Sequence, residues 1–435
     1  MRRSFLAIAV LYGLLFAALF YWQLCAEIES HPANPRYYQM FKEKRGAIYD
    51  RSGLALAESV PEGETFARVY SAPSLSHVVG YFHQRYGMTG LERLLHEDLS
   101  QGRSVITTLD LQVQKAAEEA INGREGAVVV MRPATGEVLA LVSSPWVDGN
   151  ELDDNWPDYL DDQRSPFLNR ATHGLYPPGS TVKPIIYGAA LAGELTGSGQ
   201  IWEDGGSLTL KNRTISNFGG KAHGKITTDQ ALALSSNVVF ARLAMELGEG
   251  LLEAFRAFGL GSQVKFDLAN LGGHLPGKAA SDYDLAQLGI GQGELLVTPL
   301  QMAAAVSAIA NGGTMMRPYL VQEVRGGLKL RQITRPERIA DVLPSFSAQA
   351  LSKAMALAAS EGTARTDSPA SFSYGGKTGT AQMGQGLDHA WFIGFAPVED
   401  PQIAVAVLIE HGGSGSQAAV PIGVRVMEAA LTIDE

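Results

Sequence analysis

Two pairs of short apolar runs bracket about 250 residues in which apolar positions recur mostly at helical spacing. One pair is Ala127–Met131 with Glu137–Ser143, joined by Pro133, Ala134, Thr135 and Gly136; the other is Ala390–Ala396 with Gln402–Ile409, joined through Pro397 to Pro401. Both read as antiparallel hairpins. Between them helices are expected over Ser180–Ala192, Thr228–Leu247 with an interruption, Pro299–Ala310 and Ser347–Ser360, and a last one opens with Pro421 and runs to about Leu431. Strands gathered at the two ends argue against alternating βαβ units. The expected fold class is α+β, built around one antiparallel sheet.

Ahead of this region the chain is different. Ser4 to Ala26 carry no charge, and the eighteen residues Phe5 to Trp22 are interrupted by a single glycine, about the length a helix needs to cross hydrocarbon. Arg2 and Arg3 precede the run while Glu27 and Glu29 follow it, which places the start in the cytoplasm and the rest outside. A cleaved signal peptide would need small residues after the apolar run, and Tyr21, Trp22 and Gln23 are bulky. Cys25 follows Trp22, Gln23 and Leu24, so it reads as a membrane-edge cysteine in preference to a lipidation site. The expected organisation is a cytoplasmic stub and transmembrane anchor over 1–26, a reduced pedestal module over 27–105, and the main domain over 106–435. In the small module Asp50-Arg51-Ser52-Gly53 reads as a hairpin turn and Leu91–Leu99 as a helix. A strand over Val105–Leu109, a cap at Asp110 and a helix to about Ile121 lead into the main domain.

Composition removes several functions. The 435 residues are 46% hydrophobic and 18% charged, as in a folded chain, and the net charge of -10 offers no basic footprint for nucleic acid. One cysteine cannot form an intramolecular disulfide and argues against a thiolate zinc site; the nine histidines show no His-x-x-x-His pair on a readable helix. Neither metal nor cofactor is expected.

Three segments could carry chemistry. In Tyr176-Pro177-Pro178-Gly179-Ser180-Thr181-Val182-Lys183 a helix is expected to begin at the serine, which puts Lys183 Nζ on the face of Ser180 Oγ. A serine becomes a nucleophile only when a base takes its proton, and a lysine is such a base only if burial or a nearby cation lowers its pKa. Ser262-Gln263-Val264-Lys265 has the same spacing but a loop-like setting, and reads as chance. Ser235-Ser236-Asn237 falls at a helix junction, where hydroxyl and amide suit proton relay and substrate binding, or equally a plain helix cap. Gly375-Gly376-Lys377-Thr378-Gly379-Thr380-Ala381 is a strand-like stretch whose Lys377 and Thr378 suit a carboxylate, with a solvated glycine-rich turn as the blander reading. A phosphate loop fails there, because the glycine it needs is Ser371.

In that order the three segments match the set found in penicillin-binding proteins and serine β-lactamases. The chain resembles the class B, monofunctional penicillin-binding proteins. Other shared segments are Arg45–Gly53, Gly90-Leu91-Glu92, Thr107-Thr108-Leu109-Asp110, Gly291-Gln292-Gly293 with Thr298–Met302, and His389–Gly394. The resemblance implies an antiparallel sheet with helices on both faces, in the inner membrane with the catalytic domain outside. It implies a peptidoglycan D,D-transpeptidase in which Ser180 is acylated by a donor stem peptide and Lys183 is its base. Ser235 and Asn237 would relay protons and hold substrate; Lys377, Thr378, Gly379 and Thr380 would line the substrate site, with Lys377 and Thr378 on the carboxylate of the stem or of a β-lactam. Backbone N–H groups of Ser180 and Thr380 would form the oxyanion hole. A SEDS-type membrane glycosyltransferase is the implied partner. A D,D-carboxypeptidase shares the same motifs; a scaffold should lack a catalytic position, a β-lactam sensor should carry more than the about three residues before the apolar run, and a class A β-lactamase should carry a Glu-x-x-Leu-Asn loop between Asn237 and Lys377.

Overall fold

The structure is a computed structural model, and it describes residues 2–22, 40–326, 332–366, 370–382 and 386–434. Cys25, Glu27, Glu29 and the first part of the expected 27–105 module lie outside those residues. Helix α1 (Arg2–Phe20) occupies the charge-free run, and its described apolar side chains from Phe5 to Phe20 are all exposed. Taken over the described residues, no helix is long and apolar enough to cross a membrane.

Strands β1 (Ile48–Tyr49) and β2 (Ala55–Glu62) form the hairpin expected around Asp50, whose Oδ1 accepts from the N–H groups of Ser52 (2.9 Å) and Leu54 (2.8 Å). Next come β3 (Thr65–Tyr70) and β4 (Ser104–Thr107). The single helix expected over Leu91–Leu99 is two short turns, Gly90–Leu94 and His96–Ser100, because Leu95 leaves the helical region (φ -105°, ψ 22°). The kink leaves Leu91 and Leu99 fully buried and Leu94 half exposed. Glu92, wholly buried in the first turn, pairs with Arg45 (2.8 Å) and Arg68 (2.6 Å), so a cation from the segment before β1 and one from β3 meet one desolvated carboxylate.

Asp110 then caps α2 (Leu111–Ile121) by accepting from Gln112 and Val113 N–H, and Asn122 ends it in the left-handed region. After β5 (Gly126–Met131) and β6 (Val138–Ser144) comes α3 (Lys183–Ala192). Four short strands follow, β7 (Ile201–Asp204), β8 (Ser207–Leu210), β9 (Arg213–Ser216) and β10 (Gly224–Thr227); then α4 (Thr228–Ala233) and α5 (Asn237–Leu247). Helix α6 (Pro299–Ala310) opens on a Thr298/Gln301 capping box, and Gln301 Nε2 also donates to the carbonyls of Gly259, Ser262 and Gly272. Strands β11 (Val321–Arg325) and β12 (Gln332–Ile333), helix α7 (Ser345–Ser360), strands β13 (Gly375–Ala381), β14 (His389–Ala396) and β15 (Ile403–Ile409), and helix α8 (Val420–Leu431) complete the chain.

The central sheet runs β13-β14-β15-β5-β6, with every pair antiparallel. Its inner strands read as unbroken apolar runs because both faces are covered. Val129, Leu141, Ile393 and Ala406 pack with α3 and α6, while Val128, Val142, Phe392 and Val407 pack with α2 and α8. A second, six-stranded sheet has the order β12-β11-β4-β1-β2-β3, in which β1 and β4 run parallel. Thus β11, from the main domain, completes the sheet of the small module. Thr108 Oγ1 ties the two together, within reach of Val138 O (2.7 Å) and Tyr319 O (3.0 Å).

Candidate active site

The expected helix start at Ser180 is a tight 3₁₀ turn, Gly179–Val182, and α3 proper begins at Lys183. Pro184 has no N–H to give and Thr181 Oγ1 donates to Pro178 O (2.7 Å), so the first turn closes on side-chain and i+3 bonds. The turn rests on close backbone approaches. A Cβ on Gly291 would lie 1.9 Å from Gly179 O, and Gly179 N–H donates to Gly291 O (2.9 Å). On the other side a Cβ on Gly379 would meet Pro178 O at 2.8 Å, so the Lys377–Gly379 strand is pressed against the turn that carries Ser180. Trp391 Nε1 holds the approach by donating to Pro177 O (3.0 Å).

Lys183 does not turn to Ser180: among the described residues no hydrogen bond joins them. Its Nζ donates to Ser235 O (2.7 Å), Asn237 Oδ1 (2.7 Å) and Ser235 Oγ (3.3 Å). The ammonium group is fully buried, and these oxygens of the Ser235–Asn237 segment are what satisfy it. Lys377 Nζ, on β13, donates to the same Ser235 Oγ (2.9 Å) and to Thr378 O (2.9 Å). Ser235 Oγ therefore accepts from both lysines, and its own proton is left to point elsewhere. Burial, with the Lys377 charge second, drives the Lys183 pKa well below the ordinary lysine range, opposed by the charge of Asp204. Burial alone lowers Lys377 to about 7.

Ser180, Ser235, Asn237, Thr378 and Thr380 line one open cleft of about 690 Å³, with Lys377 fully buried behind Ser235. Gly379 faces Pro178 and Thr181 instead. Thr378 Oγ1 is bonded to Thr363 Oγ1 (2.7 Å), another cleft residue. Ser262 sits in a loop far from this arrangement in kind: its carbonyl is held by Gln301 and Lys265 pairs with Glu337 at the surface.

Several functional residues escaped sequence reading. Asp204, wholly buried at the end of β7, accepts from Ser236 Oγ (2.7 Å), Gly206 N–H (2.8 Å) and the Asn217 amide (2.8 Å). Asn217 Oδ1 in turn accepts from Asn237 N–H (2.8 Å), so Asp204 and Asn217 fix the segment on which Lys183 depends. Ser235 itself is held at φ +59°, a conformation that costs free energy without such support. Nothing in the spacing of Asp204 or Asn217 marks them in advance. His389 is a packing residue, its Nδ1 accepting from His411 N–H (3.1 Å) and its ring edge-on to Tyr176.

Residues 126–428 match the penicillin binding protein transpeptidase domain, and residues 45–124 match the penicillin binding protein A dimerisation domain. The chain is 34% identical, over 99% of its length and 98% of the relative's, to a protein named peptidoglycan D,D-transpeptidase PbpA from Mycolicibacterium smegmatis. It is 32% identical to the peptidoglycan D,D-transpeptidase MrdA of Escherichia coli K12, over 72% of this chain and 56% of that protein. Among solved structures, the penicillin G acyl-enzyme complex of penicillin-binding protein A from M. tuberculosis superposes with a TM-score of 0.83 at 32% identity, covering 89% of this chain and all of that one.

Proposed function

The chain belongs to the penicillin-binding protein transpeptidases, and from that premise we infer that it is a peptidoglycan D,D-transpeptidase, working through an acyl-enzyme and blocked by β-lactams. The observation that carries this reading is the single hydroxyl of Ser235, which accepts from two buried, destabilised ammonium groups beside the cleft that holds Ser180.

In the first half-reaction Ser180 Oγ attacks the carbonyl carbon of the penultimate D-alanine of a donor stem. Its proton passes to neutral Lys183, with Ser235 as the relay once its hydroxyl turns to donate to that lysine, and returns to the departing amine as the peptide C–N bond breaks. Backbone N–H groups of Ser180 and Thr380 hold the oxyanion, and Lys377 with Thr378 holds the stem carboxylate. In the second half-reaction a neighbouring stem's amine attacks the ester; the new C–N bond forms, the C–Oγ bond breaks and Ser180 regains its proton. Gly379 serves the substrate indirectly, by letting β13 lie against the nucleophile turn.

Helix α1 is read as a single-pass anchor of the inner membrane. The charge-free run from Ser4 to Ala26, of which this helix is the described part, has about the length that a spanning helix needs. The exposed apolar side chains around it need a non-aqueous cover, and Arg2 and Arg3 set the cytoplasmic side. A SEDS-type membrane glycosyltransferase beside α1 is the candidate source of the glycan strands that the chain would crosslink.

Incubation of the full chain with polymerised, uncrosslinked peptidoglycan, followed by digestion and mass analysis, tests the activity. Crosslinked dimers that vanish in Ser180→Ala are expected; stems merely shortened by one D-alanine would replace this reading with a carboxypeptidase.

A further inference from the structure

Phe218 is 88% exposed, the most exposed large apolar side chain among the described residues, and it stands on the rim of the active cleft. An aromatic ring held in water at the mouth of a site leaves apolar area that a bound ligand gains free energy by covering. The segment around it is also charged against the character of the chain. Between Asp204 and Asp229 the sequence carries Lys211, Arg213, Lys221 and Lys225 and no acidic residue, in a protein of net charge -10. Lys221 and His223 line the same cleft as Phe218.

This rim is built, not loose. Asn217 Nδ2 donates to Lys221 O (2.8 Å) as well as to buried Asp204, closing the turn that carries Phe218. Gly219 and Gly220 supply the two left-handed conformations that turn needs (φ +62° and +69°). Asn217 N–H donates to Gly206 O (2.9 Å), and its side-chain oxygen receives Asn237 N–H. The exposed ring and the cation are thus fixed to the same residues that hold Ser235 and Asn237.

We propose that the Phe218–Lys221–His223 rim is the acceptor site, where the ring covers, and Lys221 holds, a stem peptide that brings a carboxylate of its own. The proposal rests on the transpeptidase reading above. Lys377 and Thr378 serve the donor's carboxylate at the cleft floor, and the acceptor strand, built of the same stem, presents a second carboxylate that needs a second cation. An exposed lysine beside an apolar ring offers that with a low desolvation cost.

The test uses the full chain, a labelled thioester analogue of the donor stem, and two added acceptor peptides that differ only in ending as a free carboxylate or an amide. In Lys221→Glu, transfer to the carboxylate acceptor is expected to fall about five- to tenfold relative to penicillin acylation, and transfer to the amide less than about twofold. Phe218→Ala should slow transfer to both acceptors relative to acylation, and Phe218→Trp should restore it. Equal losses for the two acceptors in Lys221→Glu, or no loss in either variant, would overturn the proposal while leaving the transpeptidase reading intact. A parent chain that takes up penicillin and thioester donor yet transfers to neither acceptor would overturn both.

Discussion

Two lysines share one serine hydroxyl inside the protein, and that arrangement sets the chemistry at the scale of single residues. Their charged forms are disfavoured by burial, which favours the neutral form that a base must have. The rate of penicillin acylation should therefore rise with pH and reach its plateau well below the ordinary lysine range; a flat profile from pH 5.5 to 9, or a midpoint above 9, would contradict this. The linkage has a definite sign: for Lys377, lowered to about 7, the cost to folding is full below that pH and fades as pH rises toward the unfolded value. Asp204 makes a second prediction. Asp204→Asn sets an amide against the Asn217 amide in a buried site, and should cost about 2–4 kcal/mol in stability by denaturant unfolding. It should also slow acylation more than tenfold, roughly 1.4 kcal/mol or more; full activity at unchanged stability would remove Asp204 from the account. Ser180, Lys183, Ser235, Asn237 and Lys377 were singled out through the resemblance that the three ordered motifs carry, since each spacing alone leaves a chance match, a helix cap or a glycine-rich turn open. Asp204 and Asn217 were not, because their roles exist only across contacts made by distant parts of the chain.

Elements bring these residues together through places where a side chain cannot fit. Gly291 lies behind the nucleophile turn with no room for a Cβ, and Gly379 lies in front of it. Gly291→Ala should therefore push the turn toward β13, lowering the melting temperature and cutting penicillin acylation together; an active, equally stable variant would show that the turn does not depend on this contact. Hairpins β5–β6 and β14–β15 and helix α6 were readable because long apolar runs and a Thr-Pro start leave few alternatives. Strands β7 to β10 were missed: four residues each, with Leu208 and Ile215 scattered among polar neighbours, carry too little period to register. The start at Ser180 was read as helix because a Gly-Ser-Thr-Val turn and a helical first turn differ only in hydrogen-bond register, which Pro184 and Thr181 decide locally.

On the scale of the whole molecule, the small module and the main domain share a sheet, since β11 pairs with β4 and Thr108 bridges to β6 and Tyr319. The sequence boundary at 105/106 cuts through the middle of β4, whose two hydrogen-bonded neighbours, β1 and β11, come from opposite sides of it. Local pattern reading could not see this, because a strand's partners are not written in its own residues. The proposed anchor is a whole-molecule matter too: the full chain should resist carbonate extraction from membranes, and two like charges placed in α1 by Leu11→Glu with Leu15→Glu should release it. Retention of that variant would argue against α1 as the anchor. The most direct test of the central claim is labelling of the purified chain with a fluorescent penicillin beside Ser180→Ala and Ser262→Ala. The account predicts a long-lived adduct, mapped to the peptide holding Ser180, that persists in Ser262→Ala and is absent from Ser180→Ala; an adduct that survives loss of Ser180, or none in the parent chain, would contradict it.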